Sequence, residues 1–202
     1  MKLIVISHPS WIENENEAMY ILFENGLEYF HLRKPNANIN DYRMFIEKIN
    51  PAFHKYIIIH NHFELINEFK IKGVHLNSKA KANFSIIPKH RTFSCHSFKE
   101  IIEHKAFYDY LFLSPIFKSI SKQNYQGAFY SKDLKEASEK KIIDDKVIAL
   151  GGIDTTNFTQ VKQWKFGGIG VLGFLWENYA LSKDTHKLLL NFKLLQQGLK
   201  NQ

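Results

Sequence analysis

Short apolar segments alternate along this chain with longer stretches whose apolar residues recur at helical spacing. Short runs rich in Val, Ile, Leu, Phe and Tyr are typical of buried strands, and periodic stretches are typical of amphipathic helices. The predicted strands are Leu3–Ser7, Tyr29–Arg33, Tyr56–His60, Val74–Leu76, Thr92–His96, Tyr110–Leu113, Val147–Leu150 and Ile169–Leu172.

Most of the predicted strands are followed by a helical pattern. Strands that alternate with helices pair in parallel through crossover connections. Eight such units predict an α/β fold, a single (β/α)8 TIM barrel over residues 1–202, with a doubly wound open sheet as the alternative. The helical patterns are Met19/Leu22/Phe23, Tyr42/Phe45/Ile46/Ile49 ending at Pro51, Leu65/Ile66/Phe69, Phe98/Ile101/Ile102, Ser131–Lys141, Phe158/Val161/Trp164 and Leu188/Phe192/Leu195.

The composition is that of a packed globular protein, with 45% hydrophobic residues. The net charge is +7, but the basic residues are spread along the chain, whereas a nucleic-acid surface usually clusters them. We therefore expect a small anionic ligand and no nucleic acid. The apolar runs are too short for a signal peptide or a membrane span. Cys95 is the single cysteine, which we expect to be buried in a reduced, cytoplasmic protein.

Glycines mark the ends of the last two predicted strands. Gly151 and Gly152 follow one strand, and Gly170 and Gly173 lie in and after the other. Glycine lets a ligand approach bare backbone N–H groups, and the loops after the last two strands of a TIM barrel often bind phosphate. These glycines predict a phosphate site, and relief of crowding at the strand ends is the alternative.

Polar side chains collect at the predicted carboxyl ends of the other strands, where TIM barrels carry their active sites. His31 and Arg33 are two residues apart, so both side chains face the same side of the strand. Arginine, lysine and hydroxyl donors together hold pyrophosphate. The other polar residues at these ends are His60, Asn61, His62, His75, Ser94, His96, Ser114, Ser119, Ser121 and Lys122.

Five segments, in order, resemble motifs of the thiamine phosphate synthase and TenI family. The resemblance covers nearly the whole chain and implies a cytoplasmic (β/α)8 barrel. The segments are His31-Leu32-Arg33-Lys34, Ile58–Asn61 with Gly73-Val74-His75-Leu76, Phe93-Ser94-Cys95-His96-Ser97, Ser114–Lys122 and Ala149-Leu150-Gly151-Gly152-Ile153.

The resemblance implies a reaction and a role for each matching residue. Family synthases join hydroxymethylpyrimidine diphosphate to hydroxyethylthiazole phosphate and release pyrophosphate with the help of Mg2+. By this resemblance Arg33 and Lys122 hold pyrophosphate, and Ser119 and Ser121 match family threonines near the thiazole phosphate and the pyrophosphate. His31, His75 and Ser94 would line the pyrimidine pocket. The thiazole phosphate would meet the backbone of Gly151, Gly152, Gly170 and Gly173.

The chain departs from the family at the magnesium ligands. The aspartate after strand three aligns with Asn61, and the aspartate after strand four aligns with Ala80. A family lysine aligns with Pro35, and the strand-two glutamine aligns with His31. Mg2+ is usually held by carboxylates together with substrate phosphates, so these changes leave its binding open.

Three other functions stay open at this point. One is the tautomerase activity of the TenI branch, although its acid–base histidine aligns with Pro115. Another is a non-catalytic binder of thiamine phosphates. The third is a zinc-dependent hydrolase using His60, His62 and His75. Association into a homo-oligomer is also left open.

Overall fold

Eight parallel strands form a closed barrel in the computed structural model, which describes residues 1–78, 88–117 and 129–200. The barrel confirms the predicted TIM fold and excludes the open doubly wound sheet. The strands are β1 (Lys2–Ile6), β2 (Phe30–Leu32), β3 (Ile57–Ile59), β4 (Gly73–Leu76), β5 (Arg91–Cys95), β6 (Tyr110–Leu113), β7 (Val147–Leu150) and β8 (Gly168–Val171).

Strands β1 and β8 close the barrel. Lys2 lies opposite Gly168 and Ile4 lies opposite Gly170 in a parallel register. At Gly168 an added Cβ would lie 2.5 Å from the Lys2 carbonyl oxygen, so a side chain there would push the two strands apart. The glycine thus allows the close approach that closure of the barrel needs.

Alternate residues along each strand enter two separate cores. Outward-facing residues pack against the helices, as Leu111 and Leu113 do on β6. Inward-facing residues fill the barrel, as Tyr110 and Phe112 do on the same strand. This alternation follows from the period of two in a strand. The inner core consists of Ile4, Ile6, Ile58, Tyr110, Phe112 and Ile148.

The helices depart from the predictions in three places. The second helix ends at Glu47, and Pro51 begins a separate 3-10 helix that includes Tyr56. The pattern at Leu65 forms a 3-10 helix and not an α-helix. A helix over Gly173–Ser182 was not predicted, because its apolar residues form no single stripe. The α-helices are α1 (Glu15–Glu24), α2 (Ile39–Glu47), α3 (Phe98–His104), α4 (Ser131–Glu139), α5 (Phe158–Gln163), α6 (Gly173–Ser182) and α7 (Thr185–Lys200).

Cys95 is fully buried at the end of β5, as predicted. Burial raises the pKa of its thiol to about 12, so the thiolate is scarce at neutral pH and the residue behaves as a small apolar side chain. Among the described helices, none is both long and apolar enough to cross a membrane.

Candidate active site

A cavity of about 280 Å³ opens where strands β2 to β5 end. Its wall is mostly polar on this side of the barrel, with one cationic side chain, three imidazoles and two hydroxyls. None of the described residues lining it carries a carboxylate. The lining residues are Ile6, Arg33, His60, His75, Asn77, Ser78, Ser94, His96, Phe112 and Leu150.

Two histidines and a tyrosine form a hydrogen-bonded chain at the base of this cavity. His31 Nδ1 lies 2.9 Å from His60 Nε2, and His31 Nε2 lies 2.5 Å from the hydroxyl of Tyr110. His31 and Tyr110 are fully buried, whereas His60 is half-buried and lines the cavity. The His60 ring in the cavity wall is therefore connected, through His31 and two hydrogen bonds, to a tyrosine deep in the barrel.

A second chain of hydrogen bonds fixes His75. Its Nδ1 lies 2.7 Å from Thr92 Oγ1 and its Nε2 lies 2.7 Å from Ser94 Oγ. The Thr92 hydroxyl donates in turn to the Val74 carbonyl, so His75 Nδ1 carries the proton and Nε2 accepts from Ser94. The rings of His60 and His75 stack with their centroids 4.2 Å apart.

The rings of His31, His60 and His75 are neutral at physiological pH. Burial, with the nearby charge of Arg33 as the second cause, lowers the pKa of His75 to about 3. Burial is also the main cause that holds the pKa of His31 and of His60 well below the usual value, with His75 as the next cause for both. Neutral imidazoles donate and accept hydrogen bonds without adding positive charge to the cavity.

The serine at the end of β1 positions Arg33. The Arg33 N–H donates to Ser7 Oγ at 2.8 Å, and the Ser7 hydroxyl donates to the Arg33 carbonyl at 3.0 Å. The following residue, Lys34, forms a buried ion pair with Glu15. The Arg33 side chain is exposed and has no carboxylate partner among the residues described. It is therefore free to pair with an anion at the mouth of the barrel.

A second cavity, of about 190 Å³, lies beside the first at the ends of β7 and β8. Gly151 and Gly152 have φ angles of +102° and +64°, which glycine adopts without strain. Gly173 is the first residue of α6, where backbone N–H groups have no partner within the helix. The lining residues are Leu150, Gly151, Gly152, Ile153, Gly170, Val171, Leu172, Gly173, Phe174 and Glu177.

The structure brings many of the predicted site residues together. Arg33, His75 and Ser94 line the first cavity, and His31 lies directly beneath it. The four glycines line the second. Asn61 follows β3, where its side chain hydrogen-bonds Tyr42. Ser119, Ser121, Lys122 and Ala80 lie outside the described residues.

The predicted zinc set of His60, His62 and His75 is wrong. His62 has a φ of +56°, which turns the chain out of the strand immediately after His60. Its Nε2 hydrogen-bonds the Ala37 carbonyl, and its ring packs against Tyr42. The alternation of a strand therefore does not extend to His62, and His31 takes its place beside the other two histidines.

Sequence reasoning missed three supporting residues. Ser7 was predicted only as a strand end, although a buried hydroxyl at that position needs a partner. Tyr110 and Thr92 lie near the starts of their strands, away from the expected site. Because they point into the barrel, they reach His31 and His75 from below. The sequence signal that could have found them is a polar residue at a strand position that faces into the barrel.

The fold and the two cavities define a TIM barrel whose mouth presents an exposed arginine beside a glycine-lined cavity. The sequence model of thiamine monophosphate synthase, the TMP-TENI family, matches residues 3–174. The chain belongs to this family, whose named members are transferases of thiamine biosynthesis.

Individual relatives agree with this assignment. A thiamine-phosphate synthase of Limosilactobacillus reuteri is 22% identical over 186 residues, which cover 85% of each chain. A solved thiamine phosphate pyrophosphorylase of Bacteroides thetaiotaomicron is 36% identical, with a TM-score of 0.89 and full coverage of both chains. A thiamine phosphate pyrophosphorylase of Pyrococcus furiosus, at 18% identity, shares the fold with a TM-score of 0.76, covering 99% of this chain and 97% of its own.

The described residues do not fit the magnesium that the family implies. Asn61 replaces one ligand, and no described residue lining the first cavity is acidic. The Asp154 carboxylate, after β7, instead accepts hydrogen bonds from Thr156 in a local turn. Mg2+ prefers carboxylate oxygens, whereas this cavity offers imidazole nitrogens and hydroxyls.

Proposed function

We propose that this protein couples hydroxymethylpyrimidine diphosphate to hydroxyethylthiazole phosphate and releases pyrophosphate. The observation that carries the proposal is the pair of adjacent cavities at the barrel mouth. One contains Arg33 and neutral imidazoles, the other is lined by glycine backbone, and Leu150 lines both. Two anionic substrates can thus bind side by side.

In the proposed reaction a carbon–oxygen bond of the pyrimidine substrate breaks and pyrophosphate leaves with the electron pair. The thiazole nitrogen then supplies its lone pair to form the new carbon–nitrogen bond. Arg33 offsets the negative charge that grows on the leaving group. Since His60 and His75 are neutral when no metal ion is bound, they do not then repel the positive charge that develops on the pyrimidine methylene. Together with Ser94 they provide hydrogen bonds to orient the ring.

Replacing Arg33 by glutamine should lower the rate of thiamine phosphate formation by roughly 100- to 1000-fold, since that is the usual loss when one charge-stabilising donor is removed. The assay contains both substrates and Mg2+ and follows thiamine phosphate by chromatography. A family synthase with proven activity is run in parallel.

Arg43→Gln is the matched control, because Arg43 pairs with Glu68 on the outside of the barrel. It should keep the wild-type rate. An Arg33→Gln variant as active as wild type would contradict the role given to Arg33. Absence of product from the wild type, beside an active reference enzyme, would refute the coupling reaction itself.

Gly151→Ala should weaken the binding of hydroxyethylthiazole phosphate by roughly five- to thirty-fold, because the free loop relaxes and binding must restore a left-handed backbone that costs a residue with a Cβ about 1–2 kcal/mol. The added Cβ would also lie 3.0 Å from Pro115 Cα and Cβ, so the loop must move and carry its N–H donors away from the ligand. Titration calorimetry measures the change.

Glu177→Gln is the companion variant for this cavity. Glu177 lines the same wall as Gly173, and a carboxylate there opposes a bound phosphate. Its removal should therefore tighten binding. Unchanged affinity in Gly151→Ala would argue that the loop does not contact the phosphate.

The missing carboxylates favour a second candidate, a non-catalytic binder of thiamine phosphates. Such a protein would keep the glycine-lined cavity and Arg33 but not turn substrates over. Product binding without turnover in the coupling assay would support it, and tautomerase activity on a thiazole phosphate intermediate would support the TenI-like reaction. The cytoplasmic location and association into a homo-oligomer stay predictions.

A further inference from the structure

Three histidines converge at the base of the first cavity. One ring nitrogen from each of His31, His60 and His75 lies within 4.8 Å of the other two. His31 and His75 are buried, and His60 opens to the cavity. Each ring comes from a different strand or strand end, so the barrel itself fixes their spacing.

We propose that His31, His60 and His75 bind a borderline divalent metal ion of the zinc type, with its fourth position open to the cavity. Imidazole nitrogen suits Zn2+ and its neighbours Co2+ and Ni2+, whereas Mg2+ prefers oxygen. Three protein ligands and one open position are the arrangement of catalytic zinc sites. Arg33, on the same wall, favours an anionic oxygen as the fourth ligand.

The His31–His60 distance requires only a small adjustment, and the His75 nitrogen lies within 4.8 Å of both. Zinc–nitrogen bonds of about 2.0–2.1 Å at a tetrahedral angle place two ligand nitrogens ~3.3 Å apart. His31 Nδ1 and His60 Nε2 are now 2.9 Å apart and share a proton. Transfer of that proton to the other nitrogen of its own ring, with a separation by a few tenths of an ångström, would turn their hydrogen bond into two metal bonds.

In two of the three histidines the opposite nitrogen already has the partner that a metal ligand needs. His75 Nδ1 donates to Thr92, which leaves Nε2 with its lone pair free once the Ser94 hydroxyl turns away. His31 Nε2 contacts Tyr110. Such partners orient the ring and select the tautomer in known metal sites.

The test is a metal titration of the whole protein, prepared without a polyhistidine tag and stripped with a chelator. Zn2+ should bind at one equivalent per chain, and Co2+ should give the intense visible bands of a four-coordinate ion with three nitrogen ligands. Mg2+ in excess should not remove those bands. His60→Asn should lower zinc affinity by roughly 100-fold or more, since even the partners of zinc ligands contribute 10- to 100-fold.

His62→Gln and His96→Gln are the matched controls. His62 lies outside the cluster, and His96 lines the same cavity without belonging to it. Both should keep wild-type affinity. Circular dichroism and thermal melting confirm that His60→Asn is folded, and His75→Gln provides an independent second variant.

Two results would overturn the proposal. One is a wild-type protein that takes up no stoichiometric Zn2+ or Co2+. The other is binding that survives in folded His60→Asn and His75→Gln, because the metal would then lie elsewhere. The test uses metal alone, so it does not depend on synthase activity. Failure of the coupling assay would leave the zinc site standing, and failure of the titration would leave the coupling reaction standing.

Discussion

Glu15→Leu should lower the free energy of unfolding by about 3–5 kcal/mol, because it leaves a buried ammonium without its counter-charge. Lys34 Nζ lies 2.5 Å from Glu15 Oε2, and the two side chains are 1% and 2% exposed. Burial outweighs the attraction between the charges, so the pKa of Lys34 is lowered and that of Glu15 is raised. Urea denaturation at pH 7 measures the loss.

The double variant Glu15→Leu/Lys34→Met tests whether the ion pair makes a net contribution to the free energy of unfolding. Buried ion pairs replaced by apolar residues of similar size are often neutral or more stable. We expect the double variant to recover most of the loss. Glu136→Leu, in the exposed pair with Lys140, is the control and should change stability little. A single variant as stable as wild type would contradict the prediction.

The Glu15–Lys34 pair also matters for the site. The Lys34 N–H donates to Tyr42 Oη at 2.9 Å, and its ammonium lies 4.5 Å from the centre of the Trp11 ring. These contacts hold the segment that follows Arg33. The pair thus connects α1 to the strand end that presents the guanidinium. Its loss would loosen the anion site as well as the fold.

The barrel was predictable because its strands are short apolar runs in a regular alternation. Val147–Leu150 and Tyr110–Leu113 match their predicted bounds. In contrast, α6 escaped prediction because Phe174 and Leu181 lie on the opposite side of the helix from the buried Leu175, Trp176 and Tyr179, so its apolar residues form no single stripe. This helix packs against the barrel, where Trp176 Nε1 donates to the Ile6 carbonyl at 2.7 Å.

The site was predictable only as far as local periodicity extends. His31 and Arg33 follow the strand alternation and face the same cavity region. His62 departs from this alternation because its backbone has a positive φ, which a period of two along the sequence does not predict. The contact between Tyr110 and His31 joins residues 79 positions apart, and only closure of the barrel brings them together.

The free energy of unfolding of the metal-free protein should fall steeply as the pH drops below about 6.5. In the folded state, burial holds the pKa of His31, His60 and His75 below that of the unfolded chain. Below pH 6.5 the unfolded chain binds protons that the folded chain does not bind, so stability is lost on acidification. For His75 the window runs from 6.5 down to about 3.

The three histidines should dominate the pH dependence of stability in this range. Each such histidine costs about 1.4 kcal/mol per pH unit inside its window, so three cost about 4 kcal/mol per unit. Glu15 acts in the opposite direction, because its raised pKa adds stability at low pH, but it is one group against the three histidines and His90, whose pKa is also lowered by burial. Urea denaturation followed by tryptophan fluorescence, with chelator present, measures the slope between pH 7.5 and 5.

His60→Asn assigns the slope to the cluster. It removes one titrating ring from the cavity wall, so the loss per pH unit should fall by about 1.4 kcal/mol, one histidine's share. His62→Gln removes a histidine outside the cluster and should leave the slope as in wild type. A flat wild-type profile would mean that the rings take up protons in the folded protein. Their neutrality beside the reacting carbon, on which the proposed coupling reaction relies, would then be lost.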